Sequence, residues 1–150
     1  MESRVNEVMD CFNSGFYCSQ AVLSTYCEDY GLDKETAYKL SCGLAAGMAR
    51  LSHTCGAVTG AYLVIGLKHG NTMPTDRVSL EKTFELIQEF DRRFACKHGS
   101  TNCRELTGVD LRKDTTEFAK QQVRKICPEL VKDAAEILEA ILFADGDILT

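Results

Sequence analysis

Apolar residues recur at helical spacing along nearly the whole chain, and that period confines it to helices packed on helices. Val5, Val8, Met9 and Phe12 form one stripe, halted by Asn13-Ser14-Gly15. A second helix is expected from Cys18 to about Tyr30, with Val22, Leu23, Tyr26 and Cys27 inward and Gly31 as its stop. Asp33 is placed to cap a third, which carries Ala37, Leu40, Leu44 and Met48, with Gly43 and Gly47 in its second half. Leu80, Phe84, Ile87, Phe90 and Phe94 mark a long helix closed by His98-Gly99. Asp114 with Glu117 reads as a capping box for the next, and Pro128 suits the first turn of a last helix whose inward row is Leu130, Ala134, Ile137, Leu138 and Ile141.

The segment from Cys55 to Lys68 fits two readings. Tyr62-Leu63-Val64-Ile65 has the composition of a buried strand. Its helical neighbours, Thr54 at a cap position and the Gly56/Gly60 spacing favour a buried helix ended by Gly70. No repeat, low-complexity tract or linker interrupts the 150 residues, of which 45% are hydrophobic, enough for a core without staples. The expectation is an all-α, single-domain bundle of about six to seven helices over residues 1–150.

Charge excludes some functions. There are 17 basic and 22 acidic residues, a net charge of −5, and no basic cluster, so nucleic acid is not an expected partner. The longest apolar stretch, Ala57 to Leu67, is too short to span a bilayer. Met1-Glu2-Ser3-Arg4 shows no export pattern, so the expected location is cytoplasmic. In a reducing compartment, eight cysteines serve as metal ligands, redox thiols or buried thiols more readily than as structural disulfides.

Four cysteines stand where helices are expected to begin. Cys18 follows Gly15-Phe16-Tyr17, Cys55 follows Thr54, Cys103 follows Ser100-Thr101-Asn102, and Cys127 precedes Pro128. Helix starts present unpaired N–H groups and partial positive charge, which shifts a thiol toward thiolate. Cys11, Cys27, Cys42 and Cys96 fall inside or at the end of helical patterns and read as core. If the four starts converge, they suit an iron–sulfur cluster of the [2Fe–2S] kind or a pair of reversible disulfides. A zinc site is the alternative, less favoured because the chain has no Cys-x-x-Cys knuckle. The competing reading is four buried thiols acting as small hydrophobes.

Other residues gather around these. Gly56 and Gly60 leave one helix face bare, for close helix packing or for a cofactor against backbone. Arg50 and Arg104 flank the cysteine regions and could offset thiolate or cluster charge, and His53 could support Cys55. His69 and His98 read as late-helix surface or capping residues. No catalytic triad, phosphate loop or dinucleotide fingerprint is present.

Gly15-Phe16-Tyr17-Cys18-Ser19-Gln20-Ala21-Val22-Leu23, Gly47-Met48-Ala49-Arg50, Cys55-Gly56-Ala57-Val58-Thr59-Gly60-Ala61, Gly66-Leu67-Lys68-His69-Gly70 and Cys103-Arg104-Glu105-Leu106, with the Cys127 region, resemble the C_GCAxxG_C_C family of redox-active proteins across nearly the whole chain. The resemblance implies a small protein, mainly of anaerobic prokaryotes, redox-active through Cys18, Cys55, Cys103 and Cys127. Related domains occur joined to electron-transfer modules, which implies an electron carrier or oxidoreductase component with a partner redox protein. Cys11 and Cys96 lie outside the motif, each seven residues ahead of a motif cysteine, as candidate resolving thiols. Arg50, Gly56 and Gly60 are the expected cofactor contacts, and a homodimer through the glycine-faced helices is the expected assembly.

Overall fold

Residues 2–144 are described by the computed structural model, and among them there is no strand. The elements are α1 (Val5–Asn13), α2 (Cys18–Tyr26), α3 (Lys34–Cys42), a short α4 (Ala45–Ala49), α5 (Gly56–His69), α6 (Arg77–His98), α7 (Cys103–Thr107) and α8 (Glu117–Ala144). The all-α expectation holds. None of these helices is long and apolar enough to cross a membrane.

The centre of the bundle is α2 against α5. Every residue of α2 except Gln20 is buried, and α5 buries Gly56 through Ala61 with Val64 and Ile65. A helix without a polar face is stable only inside others, which decides the Tyr62-Leu63-Val64-Ile65 segment as helix. The two axes approach closely because Gly60 has no side chain. A Cβ there would lie 2.9 Å from the Ser19 carbonyl oxygen and 3.2 Å from Val22 Cβ.

Four helices sheathe this pair. Val5 and Val8 of α1, Phe90 and Phe94 of α6, and Leu130, Ala134, Leu138 and Ile141 of α8 supply the inward rows, and Ala37 anchors α3. Buried Glu139 of α8 accepts from Tyr26 Oη–H and from the Arg4 backbone N–H through the same oxygen, both at 2.7 Å. That carboxylate ties the amino-terminal segment and α2 to α8. Asp33 caps α3 as expected, accepting from the Thr36 N–H at 2.9 Å.

Several boundaries differ from the sequence reading. The second helix ends at Tyr26 and tightens into a 3-10 turn over Cys27–Tyr30. The third ends at Cys42, so Leu44 and Met48 are not on it, and Leu40 is exposed. Two glycines within five residues weaken a right-handed continuation there. The last helix begins at Glu117, not at Pro128. Thr116 Oγ1 accepts from the Ala119 N–H, while Asp114 bonds Thr116. Pro128 therefore sits inside α8, where its missing N–H forfeits the bond to the Arg124 carbonyl. Burial of Val123 before it and Leu130 after it keeps both halves in one helix. Of the four cysteines read as core, Cys27 is buried and Cys11 half-buried, but Cys42 and Cys96 are exposed.

Candidate functional site

Cys18, Cys55, Cys103 and Cys127 all line one cavity of about 470 Å³ at one end of the bundle's central pair. Three of them do stand at helix starts. Cys18 is the first residue of α2, Cys55 the N-cap of α5, and Cys103 the first residue of α7. Cys127 is the exception, an interior residue of α8 beside Pro128.

Cys55 and Cys103 are set against each other by backbone. Thr54 and Asn102 form an antiparallel bridge, in which the Cys55 N–H donates to the Thr101 carbonyl at 2.8 Å and the Cys103 N–H to the His53 carbonyl at 2.6 Å. Asn102 Oδ1 then caps α7 by accepting from the Glu105 N–H. Pairing two short extended segments just before two helices fixes both thiols at neighbouring helix mouths. His53 acts here through its main chain.

The wall between them is built from an unusual turn. Ala46, Gly47, Met48, Ala49 and Arg50 all have positive φ, between 53° and 67°, and Ser52 follows at 56°. A left-handed turn of L-residues costs about 1–2 kcal/mol per residue. It is held by the His53 N–H on the Gly47 carbonyl at 2.9 Å and by Ser52 Oγ, which accepts from the Leu111 N–H at 2.8 Å. Gly47 is required twice over: its φ is +67°, and a Cβ would meet Cys103 Cβ at 2.7 Å. The turn thereby brings bare backbone onto Cys103 and aims the Ala46 N–H at the Cys18 sulfur.

The thiols are not shifted toward thiolate, contrary to the helix-start expectation. Burial raises Cys18 and outweighs the N–H groups of Ala46, Ser19 and Gly56 that face its sulfur. Cys55 is raised well above its ordinary value, by burial first and by the neighbouring Cys18 next. Burial and Cys18 push Cys103 to about 11, and burial with Cys18 and Cys103 pushes Cys127 to about 12. Desolvation disfavours any charged form, and four thiols in one site disfavour each other's ionisation. Without a cation, these are protonated thiols at neutral pH.

Gly56 lines the cavity, and its lack of a side chain makes room for a thiol. A Cβ would lie 2.5 Å from Cys18 Sγ. Gly60 does not line it; its bare face serves the α2–α5 contact. Arg50 lies not on the cavity wall but at an adjoining small hollow. Arg104 faces Asp110 at 3.9 Å, and His98 faces buried Asp133 at 2.9 Å. Cys11 approaches Ser24 Oγ at 3.6 Å, and neither it nor Cys96 lines the cavity. Arg124, Phe12, Phe16 and Tyr17 do line it. Arg124 stands three residues before Cys127, a spacing that shares a helix face and was the available signal.

An all-sulfur donor set fits a cluster whose thiolates are spread over two or more irons. It fits a compact zinc site less well, since among the described residues no three His, Cys, Asp or Glu side chains are grouped to hold one metal ion. The family model described as "Putative redox-active protein (C_GCAxxG_C_C)" matches residues 16–141. No curated protein and no solved structure matches the chain.

Proposed function

The chain belongs to the C_GCAxxG_C_C family of redox-active proteins, and we propose that Cys18, Cys55, Cys103 and Cys127 are its redox centre, the four ligands of an iron–sulfur cluster of the [2Fe–2S] kind. The observation that carries this is the convergence of all four thiols, from α2, the α5 cap, α7 and α8, on one cavity. Bound there, the cluster would supply one-electron transfer, making the protein an electron carrier or oxidoreductase component that serves a partner redox protein. The N–H groups facing Cys18 and Cys55 would donate to thiolate sulfur, an interaction that tunes cluster potential. The raised thiol pKa values support a site whose sulfurs lose their protons to a metal rather than to water. All eight cysteines are free thiols, which supports a reducing, cytoplasmic setting.

Dithiol–disulfide cycling among the same four residues is the second reading, favoured by the absence of a group of three side chains poised on one metal ion among the described residues. Protein purified without oxygen, with visible absorption, iron, zinc and sulfide measured on one sample, separates the two. The expected result is a brown protein with iron and sulfide in near-equal amounts, both lost in Cys55→Ser while helicity stays. A colourless sample that fails reconstitution would overturn the cluster and leave the dithiol reading. Unchanged iron in Cys55→Ser would overturn the site.

A further inference from the structure

We propose that the cavity also receives a small organic anion, its apolar body against Phe16 and its acid group held by Arg50, Lys120 and Arg124. This rests on the reading of the four-cysteine cavity as the functional site and names what reaches it. The cavity's about 470 Å³ lies within the range of small-molecule sites. Its wall is largely apolar, and Arg124 is the one charged side chain on it among the described residues.

Arg124 also lines the small hollow next door, where Arg50 and Lys120 join it. Tyr17, Ala46 and Val123 are shared by both walls, so the three cations stand at the margin of the thiol cavity. Arg4, Arg92, Arg93, Arg104 and Arg112 each face a carboxylate within 4.0 Å. Arg50 and Arg124 have no such partner among the described residues. Lys120 has only a loose one, Glu117 at 3.6 Å. An acidic chain with 22 carboxylates has left these three cations nearly unpaired around one hollow, where they repel each other. An anion between them relieves that repulsion, and a guanidinium pair suits a carboxylate, sulfonate or phosphate. Arg50 is carried into place by the left-handed turn, so the same strained backbone that touches Cys18 and Cys103 presents it.

The test uses two fluorescent probes with one aromatic body, 8-anilino-1-naphthalenesulfonate and its neutral counterpart N-phenyl-1-naphthylamine, titrated into protein as purified. The sulfonate is expected to bind at one site. It should weaken about tenfold or more in Arg50→Gln/Lys120→Gln/Arg124→Gln, as loss of a charged contact predicts. The neutral probe should change less than about twofold, and Arg50→Lys/Arg124→Lys should restore most of the sulfonate affinity. Phe16→Ala should weaken both probes alike. Equal sulfonate affinity in the triple variant, parallel loss of both probes there, or indifference of both to Phe16→Ala would overturn the proposal. Iron and sulfide measured on the same samples keep the two readings apart. Sulfonate selectivity in a metal-free protein leaves the anion site standing without the cluster, and a clustered protein without selectivity does the reverse.

Discussion

Two alanines placed on one face-to-face helix, six residues apart, should move stability in opposite directions. At Gly66 of α5 a new Cβ would meet nothing within 4 Å. The substitution then returns only the helix propensity that glycine forfeits, about 0.5–1 kcal/mol of stabilisation. At Gly60 the same Cβ would lie 2.9 Å from the Ser19 carbonyl oxygen, 3.2 Å from Val22 Cβ and 3.3 Å from Ser19 Cα. Two of those three atoms are backbone of α2 and cannot swing aside, so the helices themselves must part. Overpacking of that kind costs about 1–3 kcal/mol. Because both variants gain the same propensity, their difference isolates the contact and should equal about 1–3 kcal/mol. For a chain of this size, that corresponds to Tm values about 2–12 °C apart. Thermal and urea unfolding followed by far-ultraviolet circular dichroism measures it. If Gly60→Ala is as stable as Gly66→Ala, then α2 and α5 are not in the contact described, and the account of the core fails with it.

Three further outcomes follow from the structure. In reduced, metal-free protein, stability should fall as pH rises above about 8.5. Unfolded thiols ionise there, whereas folded Cys103 and Cys127 hold their protons to about 11 and about 12. A raised folded pKa stabilises fully below the unfolded value and ceases to do so as pH passes the folded one. Each such thiol therefore steepens the loss by about 1.4 kcal/mol per pH unit in between. Cys103→Ser should flatten the profile of urea midpoint against pH, and a profile already flat in the wild type would contradict the burial argument. Tyr26→Phe removes one of two donors to the buried Glu139 oxygen and should cost about 1–3 kcal/mol in urea unfolding; a neutral effect would mean that the carboxylate is satisfied otherwise. Ala49→Gly, at an exposed position with φ 53°, should stabilise by about 0.5–1 kcal/mol, the relief of left-handed strain less the entropy glycine adds to the unfolded chain. Destabilisation in the same unfolding assay would show the turn to be unstrained.

Where local chemistry decides, the sequence was readable. Asp33, Gly31 and Gly99 punctuate helices as their side chains dictate, and α5 announced itself as buried by lacking any polar face. The convergence of Cys18, Cys55 and Cys103 followed from three separate capping signals. Where tertiary context decides, it was not. Ala46, Met48 and Ala49 are good right-handed helix formers, and nothing local distinguishes them from a continuation of α3. Only the fit of Gly47 against Cys103 and Ser52 reverses their hand. Pro128 carries the same local signature at a first helical turn as in a helix interior, and burial on both sides of it chose the interior. The thiol protonation was misread for a related reason. N–H donors at a helix start are visible in sequence, while the desolvation that overrides them belongs to the assembled cavity.

The left-handed turn is the costliest local feature of the chain and stands where the chemistry is proposed. Four non-glycine residues among Ala46 to Arg50, each at about 1 kcal/mol or more, make a sum comparable to a sizeable part of a domain's net stability. A right-handed helix over the same residues would avoid that cost. What the left-handed path provides is contact that a right-handed helix with ordinary side chains does not: an N–H directed at Cys18, a Cβ-free backbone laid on Cys103, and Arg50 delivered to the cationic hollow. One short segment thus touches two of the four thiols and one of the three unpaired cations. Strain retained at such a place, and held by bonds from Leu111 and His53 rather than by its own dihedral preferences, argues that the arrangement of the cavity wall rather than stability selected this backbone. The glycine substitution at Ala49 then becomes informative in a second way, because it should stabilise the fold while loosening the wall. A lower iron content or weaker sulfonate binding in that more stable variant would separate the turn's service to the site from its burden on the fold.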